Sequence, residues 1–163
     1  MRNLMLVLCL SSLGFVAHAG AAKPYTLSVD NKPALTLQLP DKWTAKSHDG
    51  KTDIKTEYEV HIQLWPMFGA KTVAAATTLV PEFIKGEVTE FKTVKSEDIN
   101  IAGAPAKHLI GTGSEADDGD PSNADVFLFS VGGKVFLVCA HGEGTGAAKV
   151  RAALMHVLST AKP

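Results

Sequence analysis

Val126-Phe127-Leu128-Phe129-Ser130-Val131-Gly132-Gly133-Lys134-Val135-Phe136-Leu137-Val138-Cys139-Ala140 is the stretch that decides the fold. Two apolar runs flank a glycine pair, which is a signal for a two-residue hairpin turn. Val126 and Leu128 share one face of the first run, and Phe127 and Phe129 share the other. Val135 and Leu137 stand in the same relation to Phe136 and Val138. A strand with one wet face would alternate apolar and polar residues. These runs do not alternate, so they belong in the middle of a sheet covered on two sides. One cover follows directly in the chain. From Gly146 to Thr160, helical spacing turns Val150, Leu154, Val157 and Leu158 toward the sheet.

Working upstream, Ala106 to Thr112 reads as a strand and Ser114 to Asn123 as a polar loop. Ile101 to Pro105 is a turn, and Phe91 to Ser96 alternates as a strand. Near the start, Thr26 to Val29 and the alternating Leu35, Leu37 and Leu39 flank turn residues Asp30 to Pro33. Asp49-Gly50 marks another turn. Tyr58, Val60, Ile62 and Leu64 share one strand face, with Glu57, Glu59, His61 and Gln63 on the other. The period changes at Thr72, where Val73, Ala76, Val80, Phe83 and Ile84 fall on one side of a helix. Pro81 inside that helix would cost about 3 kcal/mol, so the segment is expected to kink or to split in two. No repeat or long linker is visible. The expected class is α+β: a single antiparallel sheet flanked by helices, in one domain over residues 20–163.

The 163 residues are 45% hydrophobic and 20% charged, the profile of a globular chain. Sixteen basic residues face seventeen acidic ones, which gives no electrostatic footprint for nucleic acid. Residues 1–19 read as a secretory signal peptide. Arg2 opens it, an apolar stretch runs from Leu4 to Val16, and Ala17-His18-Ala19 supplies the cleavage pattern. The stretch is shorter than the roughly 20 residues a spanning helix needs, so no stable membrane insertion is expected after cleavage. Cleavage would leave Cys139 as the sole cysteine, and a hydrophobic core would then hold the domain together without a disulfide. The expected location is periplasmic or secreted.

Leu39-Pro40-Asp41-Lys42-Trp43 closes an early strand, and Ile101-Ala102-Gly103-Ala104-Pro105-Ala106 opens a later one. With the strand pair around Gly132-Gly133 and a terminal helix ending Leu158-Ser159-Thr160, this order resembles the PsbP-like fold family over about residues 24–160. The resemblance implies an antiparallel sheet with flanking helices, in a sandwich. It carries over no catalytic residues, and it implies a binding or accessory role.

Four groups of residues invite chemistry. Cys139 and His141 are two apart on a strand and face the same way, so they are the candidate metal ligands, with His61, His108 or His156 to complete the set. The same pair would also be the nucleophile and base of a hydrolase, although no G-x-S-x-G motif or third orienting group appears. Glu115, Asp117, Asp118, Asp120 and Asp125 gather carboxylates that calcium would accept, at a spacing unlike the EF-hand and with Pro121 interrupting the wrap. Gly142-Glu143-Gly144-Thr145-Gly146-Ala147 mimics a dinucleotide fingerprint, but the chain ends before the parallel strand and acidic residue that motif requires. Tight-turn glycines explain it, and no cofactor is implied. Finally, Trp43, Trp65 and Met67 sit near strand ends as candidates for a partner-binding face. The combined expectation is an exported, non-enzymatic binding or accessory module for an unidentified protein or small ligand. A metal-handling protein and a hydrolase are the alternatives.

Overall fold

The computed structural model describes residues 22–163, and the signal-peptide reading of residues 1–19 lies outside them. The first two strands, β1 (Lys23–Val29) and β2 (Lys32–Leu39), form a hairpin, as do β3 (Thr44–His48) and β4 (Lys51–Lys55). After β5 (His61–Pro66) the chain enters two short helices, α1 (Val73–Thr77) and α2 (Val80–Ile84). Four long antiparallel strands follow: β6 (Val88–Ile101), β7 (Ala104–Glu115), β8 (Pro121–Val131) and β9 (Lys134–Gly142). Helix α3 (Gly146–Ser159) comes last.

The architecture is α+β and antiparallel, but it contains two sheets rather than one. Seven strands pair in the order β3-β4-β5-β9-β8-β7-β6, while β1 and β2 pair only with each other. Alternating Leu35, Leu37 and Leu39 fit a half-buried strand, whether it extends a sheet edge or lies as a separate layer. Packing decides the matter. These leucines join Phe127, Phe129, Phe136 and Val138 in one core, together with Val150, Leu154, Val157 and Leu158 of α3. The hairpin therefore lies across the large sheet beside α3. The end of α3 is tied to β2: Thr36 N–H donates to Lys162 O at 2.8 Å, and Gln38 N–H donates to Thr160 Oγ1 at 2.9 Å.

The opposite face carries a second core. Met67, Ala76, Val80 and Ile84 pack there against Leu109, Val126, Leu128, Leu137 and Cys139. Both faces of β8 and β9 are thus covered, as their unbroken apolar runs require. The glycine turn between them has φ of +57° at Gly132 and +75° at Gly133, which suits a type I′ hairpin. Pro81 splits the helical segment as expected. It stands in the first turn of α2, where its missing N–H leaves no bond unmade. Thr72 caps α1 by accepting from the Ala75 N–H at 3.1 Å.

Strands β6 and β7 run longer than their alternation suggests, because β6 is irregular. Its register against β7 shifts between Thr89 and Lys92 and again between Thr93 and Lys95. The shifts lay the Phe91 ring over Gly111. A Cβ added at Gly111 would meet Phe91 Cε2 at 2.4 Å and the Lys92 carbonyl oxygen at 2.5 Å. Gly111→Ala is therefore expected to destabilise the protein by about 1–3 kcal/mol through overpacking. Urea unfolding checks this against Gly86→Ala, which meets nothing within 4 Å and should change stability little.

Candidate functional site

The site forms where β5 meets β9. Their register sets His61 opposite His141, Gln63 opposite Cys139 and Trp65 opposite Leu137. The two histidine rings stack with centroids 5.3 Å apart. His141, only 2% exposed, is held from both sides. Its Nδ1 lies 2.9 Å from Glu115 Oε2, and its Nε2 lies 3.1 Å from Gln63 Oε1. Glu87 Oε2 stands 3.9 Å from Nε2, and Lys51 Nζ donates to Glu87 Oε1 at 2.5 Å. The Glu87 hydrogen bond and its charge hold the Lys51 ammonium above the ordinary lysine value, against a smaller effect of burial.

Above this floor opens a cleft of about 860 Å³. Seven carboxylates line it, from Asp53, Glu59, Glu87, Glu115, Asp117, Asp118 and Glu143. Only two lysines, Lys51 and Lys55, oppose them. The walls are the end of β4, the segment from Thr56 to Val60, and the β7–β8 turn. Gly146 lets the Glu59–Val60 backbone approach α3, since a Cβ there would come within 2.8 Å of Val60 Cγ2. That close approach accounts for a glycine in the fingerprint-like run.

Cys139 and His141 do share a face, yet they do not form a ligand pair. Cys139 is fully buried among Val126, Leu128 and Leu137. Burial, reinforced by the negative charges of Glu87, Glu115 and Asp125, pushes its thiol far above the ordinary cysteine value. In this core the thiol packs as a small apolar side chain. Of the expected further ligands only His61 comes near, stacked on His141; His108 lies on the other side of the sheet, stacked on Phe127, and His156 is exposed on α3. Among the described residues, no group of three or more His, Cys, Asp or Glu is placed to hold a metal ion.

The acidic loop disperses in the same way. Glu115 turns to His141, Asp118 Oδ1 accepts the Asp120 N–H at 3.0 Å, and Asp125 points through the sheet toward α3. The proposed aromatic face is also corrected. Trp43 and Met67 are buried, and Trp65 is half-buried against the second core. Their place near strand ends makes them lids of the two cores.

Sequence reading missed a buried ionic network. Asp125 Oδ1 accepts from His108 Nε2 at 2.5 Å and from Arg151 Nε at 2.8 Å, and Oδ2 accepts from Arg151 Nη2 at 3.0 Å. His108 stacks on Phe127 with centroids 4.4 Å apart. Burial alone would raise the Asp125 carboxyl, but the His108 and Arg151 hydrogen bonds outweigh it and hold the group below the ordinary aspartate value. The signal was strand parity. Asp125 shares a face with Phe127 and Phe129, so it had to be buried and paired.

No protein-family model and no curated protein matches the sequence. Solved structures do match by shape. The solution structure of cyanobacterial PsbP (CyanoP) from Synechocystis is similar over 93% of this chain and 97% of that one, with a TM-score of 0.55 and 16% identity. A Bacteroides thetaiotaomicron protein is similar over 88% of this chain, with a TM-score of 0.56 and 12% identity, and this chain spans 48% of it. LpqN, involved in cell envelope biogenesis of Mycobacterium tuberculosis, is similar over 86% of this chain and 89% of its own, with a TM-score of 0.49 and 15% identity. The fold is PsbP-like. No helix among the described residues is long and apolar enough to cross a membrane.

Proposed function

We propose that the protein is an exported, non-enzymatic binding module whose cleft between β5, β9 and the β7–β8 turn takes a cationic segment of a partner protein. One observation carries the reading: seven carboxylates against two lysines around an open volume of about 860 Å³. A cleft lined by one sign of charge focuses its field on a ligand of the opposite sign. His141, buried beneath the lining residues His61, Gln63 and Glu115, is arranged for holding rather than turnover. Both His141 ring nitrogens already face Glu115 and Gln63, and the neighbouring Cys139 thiol is buried and held un-ionised. A general base needs a free nitrogen and a nucleophile within reach. Export rests on the leader pattern of Arg2, the apolar run and Ala17-His18-Ala19.

Fluorescence anisotropy with a lysine-rich peptide and a glutamate-rich peptide of equal length tests the reading. Only the lysine-rich peptide should bind, more weakly as salt shortens the screening length to about 8 Å at physiological strength. A Glu143→Gln, Asp118→Asn double variant should weaken that binding about tenfold. Equal binding of both peptides, or of neither, would reject a cationic ligand.

A further inference from the structure

We propose that Lys51 is a resident cation of the acidic cleft, seated on Glu87 where an incoming primary ammonium would sit, and that a cationic ligand binds by displacing it. The inference rests on the cationic-ligand reading of the cleft and adds how that site is held before a ligand arrives. Lys51 opens β4 and pairs with His48 across the Asp49-Gly50 turn, so its backbone is fixed in the sheet. Strand parity puts its side chain on the face of Asp53, which stands opposite Gln63 in the cleft. Lys51 Nζ donates to Glu87 Oε1 at 2.5 Å and lies 3.9 Å from Asp53 Oδ1. Asp53 is already engaged by His48 Nε2, so Glu87 is the main anchor. The other Glu87 oxygen stands 3.9 Å from His141 Nε2.

The two partners of this pair differ in freedom. Glu87 sits in the turn between α2 and β6, and its backbone is bonded on both sides. Its N–H donates to Ile84 O at 2.8 Å, and its carbonyl accepts the Ala116 N–H at 2.9 Å. The carboxylate is therefore anchored between α2 and the β7–β8 turn. Lys51 reaches it on a flexible four-carbon stem, which can swing to water without disturbing the strand. The Lys51 and Glu87 side chains are 25% and 19% exposed, and ion pairs this open to water are weak. A ligand lysine carries the same head on the same stem, so it fits the seat that Lys51 vacates. Of the two lysines lining the cleft, only Lys51 is ion-paired among the described residues. Lys55 is exposed, so it adds charge to the rim without filling a seat.

That contrast supplies the test. Lys51→Met and Lys55→Met remove the same charge, and the field alone should tighten binding of the lysine-rich peptide about twofold in each. Lys51→Met should gain more, about tenfold in all, because it also empties the seat on Glu87. Lys51→Ala gives a second readout that needs no peptide. It leaves room beside Glu87 for n-propylammonium, which replaces the chain lost beyond Cβ. That ion should raise the Tm of Lys51→Ala by about 2 °C over equimolar tetramethylammonium, which has no N–H to donate, and should leave Lys55→Ala unchanged. A peptide that binds but gains equally from both methionine variants would overturn the inference and leave the cleft reading standing. So would propylammonium acting no better than tetramethylammonium on Lys51→Ala. Failure of the wild type and both methionine variants to bind the peptide would overturn the two together.

Discussion

Asp125→Ala is expected to cost about 3 kcal/mol of stability and to lower Tm by roughly 10 °C. Asp125 joins three elements by accepting from His108 on β7 and Arg151 on α3 while standing on β8. Its side chain is 2% exposed, and that of His108 is 6% exposed. Removing the carboxylate leaves the buried imidazole without its partner and frees the guanidinium that ties α3 to the sheet. Arg151, a third exposed, can turn to water, so the loss falls at the lower end for a broken buried pair. Arg151→Met should cost less, about 1 kcal/mol, because Asp125 keeps its His108 bond. The pH dependence has a definite sign. A carboxyl held below its unfolded value stabilises the fold at pH above about 3.9, the ordinary aspartate value, and that contribution is lost as the pH falls through the folded value. Thermal scans from pH 7 to pH 3 should show the wild type losing stability at the acid end, with a shallower loss in Asp125→Ala. Equal Tm values for wild type and variant at pH 7 would remove the network from the list of things that hold α3 in place.

The central layer was legible because its residues leave no alternative. Strands apolar on both faces around Gly132-Gly133 can only be interior, and β8 and β9 are the middle of the large sheet. Pro81 likewise announced the break between α1 and α2. Period alone could not separate a strand that extends a sheet from one that lies upon it, so the β1–β2 layer was folded into a single sheet. The strand predicted from Tyr58 begins only at His61, because the chain bends through Glu57 to Glu59 to wall the cleft. The site was half legible. His141 was singled out for its proximity to Cys139, but its actual partners are Glu115, Gln63 and His61, which come from other strands. No local spacing encodes those contacts; they follow from which strands become neighbours. Asp125 was misplaced for a different reason. Read within an acidic run it looks solvated, while its parity with Phe127 places it in the core.

Trp43→Ala is expected to cost about 3–5 kcal/mol, the range for truncating a buried tryptophan. Trp43 is 1% exposed, within the core that also holds Leu39, Ile54 and Val60. Its Nε1–H donates to Glu57 Oε2 at 3.0 Å, and its backbone N–H donates to Pro40 O at 2.9 Å. The residue thus closes the core beneath the turn from β2 to β3 and also anchors the segment that walls the cleft. Trp43→Phe keeps most of the packing and loses the indole donor, so its cost should be nearer 1–2 kcal/mol. Chemical denaturation of both variants separates the two contributions. The same pair of variants decides between a structural and a recognition role. A partner anchor would lose ligand affinity on truncation while the free protein stayed as stable as before. A core lid loses stability first, and Trp43→Phe, still folded and with the cleft carboxylates untouched, should bind the lysine-rich peptide within about twofold of wild type.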